Sequence, residues 1–191
     1  MGIAHIFGFR PAGEARAAGG LYRSILEAAR EPCFFASLGV PDNLDGRFET
    51  LTLHAFLVLR RLKSDPSDAA TGLSRALIEA FIADMDRSLR EMGAADLGVA
   101  RRVKEMAQAL YGRIIAYETA LEETGDAALE AALGRNLYGT LGTPRAADLA
   151  AVARYMRRQH AALAAQPLSE LRAGRVAFVP LPEAIGQEVP P

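Results

Sequence analysis

Residues 44–63 constrain this chain more than any other stretch. Apolar side chains recur at Phe48, Leu51, Ala55, Val58 and Leu62 with the spacing of one helix face. A second set, Leu53, Phe56 and Leu57, points elsewhere around the same helix. A helix that is apolar on two faces needs cover on both, so this segment is expected at the centre of the fold. Its β-branched and aromatic residues would also suit a strand. The run is too long for one, however, and no neighbouring segment offers a partner strand.

The remaining signal is helical nearly throughout. Leu21, Tyr22, Ile25, Leu26 and Ala29 mark a first amphipathic helix that Pro32 stops, and Gly19-Gly20 weakens its start. Residues 33–38 allow one short turn, and 40–46 form a loop in which Asp42 or Asp45 is suited to cap the central helix. After the turn at 64–68, Leu73, Leu77, Phe81, Met85, Leu89 and Met92 share a face until Gly93 ends the helix. Asp96 is placed to cap the next, whose seam runs Val99, Val103, Met106, Leu110, Ile114, Tyr117, Leu121. A shorter helix over 127–138 and a last amphipathic one over 145–165 follow, then a brief segment at 168–172. The expected architecture is an all-α, single-domain bundle of about six main helices. A flexible segment covers residues 1–19, the helical domain 20–172, and an extended proline-rich arm 173–191.

Composition narrows the function classes. A formal net charge of −1 argues against general nucleic-acid binding, so no DNA partner is expected. Cys33, the single cysteine, excludes an intramolecular disulfide and reads as a small buried hydrophobe beside Phe34 and Phe35. No apolar run reaches the ~18–20 residues that cross a bilayer, and residues 1–9 lack a signal-peptide pattern. A bacterial, cytoplasmic protein is expected, with peripheral association at the cytoplasmic face of the inner membrane as its only membrane contact.

Chemistry is sparse. Three histidines, His5, His54 and His160, are too scattered for a metal site, and no nucleophile–base or acid pair has a useful spacing. Neither enzyme activity, nor a metal, nor a cofactor is expected. On the central helix Arg47, Thr50, His54 and Arg61 form a polar stripe among apolar neighbours. Such a stripe needs partners, for which Asp84 and Asp86 are the candidates. It is either a network that fixes helix register or a polar floor under a binding groove. The basic clusters at Arg60-Arg61-Lys63, Arg101-Arg102-Lys104 and Arg154-Arg157-Arg158 are solvated faces or contacts for anionic phospholipid or ribosomal RNA. Gly112, inside a strong helix pattern, implies close approach of another helix or of a bound partner.

Two stretches resemble a known family. One is Gly39-Val-Pro-Asp-Asn-Leu-Asp-Gly-Arg-Phe48 with His54; the other runs from Met85 through Asp86, Leu89-Arg-Glu-Met-Gly93 and Asp96 to Lys104, Met106, Tyr111-Gly-Arg113 and Tyr117. Together they are similar to the ubiquinol–cytochrome c chaperone family over residues 20–120, and beyond Glu123 the resemblance fades. It implies a bacterial assembly factor that binds cytochrome b, or an assembly intermediate of the bc1 complex, stoichiometrically and without turnover. It also implies a motif core for client or partner binding at Asp45, Gly46, Arg47, Phe48, His54, Asp86, Arg90, Glu91, Asp96, Lys104, Met106, Tyr111, Gly112, Arg113 and Tyr117. Mitochondrial members act with a small partner protein and near the ribosomal tunnel exit, and no motif here marks either contact. The competing reading is a helical protein holding haem, quinone or lipid between its helices. An enclosed cavity would favour that reading, and an open groove the chaperone.

Overall fold

The computed structural model describes residues 12–93, 96–140 and 143–181. Among them are eight helices and no strand: α1 (Ala12–Ala29), α2 (Pro32–Ala36), α3 (Leu44–Lys63), α4 (Asp68–Glu91), α5 (Asp96–Glu122), α6 (Ala127–Arg135), α7 (Ala146–Ala164) and α8 (Leu168–Arg172). Two of these, α2 and α8, are single turns of five residues, leaving six main helices in an all-α bundle.

The two apolar faces of α3 go where their spacing implies. Leu51, Ala55, Val58 and Leu62 join α1 and α4 in one core layer, with Leu110 and Leu171. Leu53, Phe56 and Leu57 join a second layer built from α2, the end of α5, α6 and α7. Leu53, Phe56 and Val58 have no exposed surface. Burying each such side chain contributes roughly 1.5–3 kcal/mol, so α3 is held from both sides. Asn43, rather than Asp42 or Asp45, caps it: the Gly46 backbone N–H donates to Asn43 Oδ1 at 2.9 Å. At this N-terminus the loop passes so close that a Cβ on Gly46 would lie 1.9 Å from the Pro41 carbonyl oxygen.

Two boundaries differ from the sequence reading. First, α1 starts at Ala12 and runs straight through Gly19-Gly20, so residues 12–19 belong to a helix that buries Ala17 and Ala18. Gly20 marks a close approach rather than a helix start, because a Cβ there would come within 2.5 Å of the Gly174 carbonyl oxygen. Second, the segment after α8 is not free of the core. Val176, Phe178 and Leu181 pack against it while Ala177 and Val179 face outward, the alternation of an extended chain on a surface. Residues 1–11 of the expected flexible segment and 182–191 of the expected extended arm lie outside the described residues.

Candidate functional site

The first two turns of α3, the end of α4, the first half of α5 and the turn after α6 converge on a cleft of about 620 Å³. Asp45, Gly46, Phe48, Glu49, Met106 and Arg113 are among its walls. A second hollow of about 250 Å³ adjoins it and shares Leu44, Phe48, Leu89 and Met106. Arg47, Met85 and Met92 complete its rim and floor. Leu44 is 53% exposed and Met92 56%, so the apolar surface opens to solvent. Phe48 braces the floor edge-on against Phe81, ring centroids 6.1 Å apart.

One wall of the cleft is ionic. Arg113 on α5 donates from Nη2 to Glu49 Oε1 at 2.7 Å and from Nε to Oε2 at 3.2 Å, a two-pronged pair across 64 residues. The Glu49 carboxylate is 9% exposed, and burial pushes its pKa up although Arg113 pulls it down. Behind the pair, Tyr117 is fully buried against Phe56, its hydroxyl has no hydrogen-bond partner, and burial raises its pKa. Glu49 escaped the sequence reading because its partner lies far along the chain. The available signal was a carboxylate on a helix expected to be covered on both sides.

The polar stripe is resolved differently from the expectation. Arg47 does meet an acid, but it is Asp42 in the adjoining loop, at 2.7 Å, with the guanidinium 59% exposed and set over the Phe35 ring. Asp84 instead accepts from the Tyr22 hydroxyl at 2.9 Å and pairs with Arg87, while Asp86 pairs with Arg90 one turn along α4. Thr50 returns its hydroxyl to the Gly46 and Arg47 carbonyls, and Arg61 donates to the Gln166 carbonyl. An exposed arginine needs no buried carboxylate, so Arg47 carries no interior network.

His54 is fully buried, away from the cleft. Its Nδ1 lies 2.7 Å from the Thr50 carbonyl, which only accepts, so Nδ1 carries the proton. Nε2 therefore accepts from the Tyr155 hydroxyl at 2.8 Å, tying α3 to α7. The rings of Phe34, Tyr155 and Phe178 surround it, and burial lowers its pKa from 6.5 to about 4. A depressed histidine pKa contributes stability that is complete above the unfolded value and lost as pH falls toward the folded one. At about 1.36 kcal/mol per unit, roughly 2 kcal/mol disappears by about pH 5. Thermal melts of the wild type and His54→Leu across pH 5–7.5 should show a steeper acid loss in the wild type. Parallel curves would reject this assignment.

The other motif residues stay outside the cleft. Glu91 and Lys104 are solvent-facing, and the side chain of Asp96 lies outside the described residues. Gly112 corrects the packing expectation: it is exposed, a Cβ there would meet nothing within 4 Å, and Tyr111 beside it is 50% exposed. In the basic clusters several charges are paired: Arg60 and Lys63 with Glu118, Arg101 with Glu105, Arg157 with Asp126. Among the described residues no helix is long and apolar enough to cross a membrane.

A family model described as ubiquinol-cytochrome C chaperone matches residues 36–178, well past the point where the motif resemblance fades. Protein CBP3, mitochondrial, of Saccharomyces cerevisiae is 26% identical over 149 residues. That alignment takes in 77% of this chain but 44% of the yeast protein, so the chain spans less than half the length of that relative. The crystal structure of the Cbp3 homolog from Brucella abortus superposes with a TM-score of 0.78 at 34% identity, over 88% of this chain and 92% of that one.

Proposed function

Because the chain belongs to the ubiquinol–cytochrome c chaperone family, we propose that it promotes bc1 complex biogenesis by holding cytochrome b, or an intermediate containing it, in the cleft at the α3 N-terminus. The carrying observation is the open apolar surface of Leu44, Phe48, Met92 and Met106, floored by the buried Leu89. Contiguous exposed apolar surface marks an interaction site, and methionine adapts its unbranched side chain to irregular partners. The client chemistry that suits it is an apolar helix of an unassembled membrane protein. Charged groups at the rim, including Asp45, Arg102 and Glu105, would keep the cleft soluble and set the register of a bound helix. This is binding without turnover, and release follows when assembly removes the client by mass action.

Leu44→Asp with Met92→Asp tests it, since both side chains are already more than half exposed. The double variant should melt like the wild type and retain at most one tenth of the cytochrome b that the wild type captures from detergent-solubilised membranes. A deletion strain should lose assembled bc1 complex and cytochrome b while unrelated respiratory complexes stay near normal. Undiminished capture by the variant would remove the cleft from the mechanism, and normal bc1 levels in the deletion strain would remove the function. The alternative of a site for haem, quinone or lipid calls for an enclosed cavity, and the exposed rim argues against it.

A further inference from the structure

The segment that follows α8 lies across α7 in an arrangement with the chemistry of a bound peptide. Gln159 is fully buried, yet both ends of its amide meet one residue of this segment: Nε2 donates to the Val179 carbonyl at 2.5 Å, and Oε1 accepts from the Val179 N–H at 2.9 Å. Seven residues on, Gln166 repeats the pattern with Ala177, at 2.6 and 3.1 Å. The Gln166 carbonyl is itself held by Arg61 of α3, so the second clamp is rigidly mounted. Between the two clamped residues, Phe178 stands over His54 with ring centroids 5.2 Å apart.

Two side-chain amides thus read the backbone of alternate residues, while the His54 ring, itself held by Phe34 and Tyr155, meets the one side chain between them. Main-chain pairing for affinity with one pocket for choice is how proteins bind extended peptides. The groove is also wider than the chain lying in it. A hollow of about 520 Å³ remains between the arm and α2, bounded by Pro32, Cys33 and Ser37 on one side and by Phe178, Val179 and Leu181 on the other. The arm is held by few elements: Phe178 is only half-buried and Val179 is 36% exposed, the pattern of a segment that opens locally. When it opens, the Gln159 amide loses both Val179 bonds, and a second extended backbone is a partner that restores the donor and the acceptor together in the geometry Val179 shows.

We propose that the groove between α2 and α7 is a second polypeptide-binding site, which residues 176–181 occupy in cis and which accepts an extended segment of another chain carrying an aromatic or large apolar anchor. Flanking residues are free to vary, because the glutamines touch only backbone. The site is separate from the α3 cleft, and the two stand or fall independently.

The test uses the full chain and a fluorescein-labelled peptide of residues 175–181. In Phe178→Ala the internal competitor is weakened, so anisotropy should report peptide binding at least tenfold tighter than to the wild type, whose tethered arm competes at an effective millimolar concentration. Adding Gln159→Leu and Gln166→Leu to that variant should remove binding, as should a peptide with Asp in place of its own phenylalanine. Peptides altered at the Ala177 and Val179 positions should bind unchanged. A folded Phe178→Ala protein that binds no peptide, or binds it equally well without the two glutamines, overturns the proposal. Hydrogen exchange on the wild type is the check that requires no variant. The Ala177 and Val179 amides should exchange at least tenfold faster than those in the middle of α7, and equal rates overturn it too.

Discussion

Arg113→Ala is expected to destabilise the protein by about 3–5 kcal/mol, the cost of leaving one member of a buried pair without the other. The size follows from asymmetry. Glu49 is the more buried partner, at 9% against 27% for the arginine, and its carboxylate is already displaced toward the protonated form by burial. Without Arg113 that displacement grows, and the folded state binds a proton more tightly than the unfolded one. Stability of the variant therefore rises as pH falls, and its deficit against the wild type should narrow between pH 7 and 5. Replacing both partners by methionine should come within about 1 kcal/mol of wild type, because two apolar groups leave no stranded charge. Denaturant melts of the single and double variants at the two pH values decide the matter. A deficit for Arg113→Ala below about 1 kcal/mol at pH 7 would show that water reaches Glu49.

Gly46→Ala should cost about 3 kcal/mol, combining overpacking with a damaged helix cap. The new methyl would sit 1.9 Å from the Pro41 carbonyl oxygen, and backbone cannot swing aside as a flexible side chain does. The loop must move, and with it Asn43, whose side chain caps the Gly46 N–H. Leu44 and Asp45 move as well, so the cleft deforms and client capture should fall alongside stability. Gly112→Ala is the matched control. That glycine is equally helical but stands in open space, so alanine should stabilise by up to about 1 kcal/mol. Equal melting temperatures for the two variants would refute the steric account.

Some of this was written in the sequence and some was not, for reasons that differ by residue. The two faces of α3 were legible because helix periodicity sorts side chains by direction, and each set entered its own core layer. The motif resemblance drew attention to Asp45, Gly46, Phe48, Met106 and Arg113, which the fold gathers around one cleft. Glu49 was invisible because an acid paired over 64 residues looks like any solvated helix acid. Asp84 and Asp86 were chosen for Arg47 on the assumption that α3 is buried to its first turn, whereas the Arg47 side chain leaves the capped first turn toward solvent. The start of α1 was misjudged because glycine propensity speaks of isolated helices, and Gly20 answers instead to the passing backbone of Gly174. Prolines marked the arm as extended chain rather than core. The glutamines that fasten it lie on another helix, and nothing local announces them.

The placement of α3 between two layers has a consequence for the protein's own birth. Its partners on one side, α1 and α4, are neighbours in the chain, but the Tyr155 that closes over His54 is encoded 101 residues later. At about 5–20 residues per second, the ribosome delivers that second cover some 5–20 s after His54 itself. Until then the Leu53–Phe56–Leu57 face is covered only in part, by α2 and later by α5 and α6, so a protein proposed to shelter unfinished membrane helices is itself incompletely sheltered while it is made.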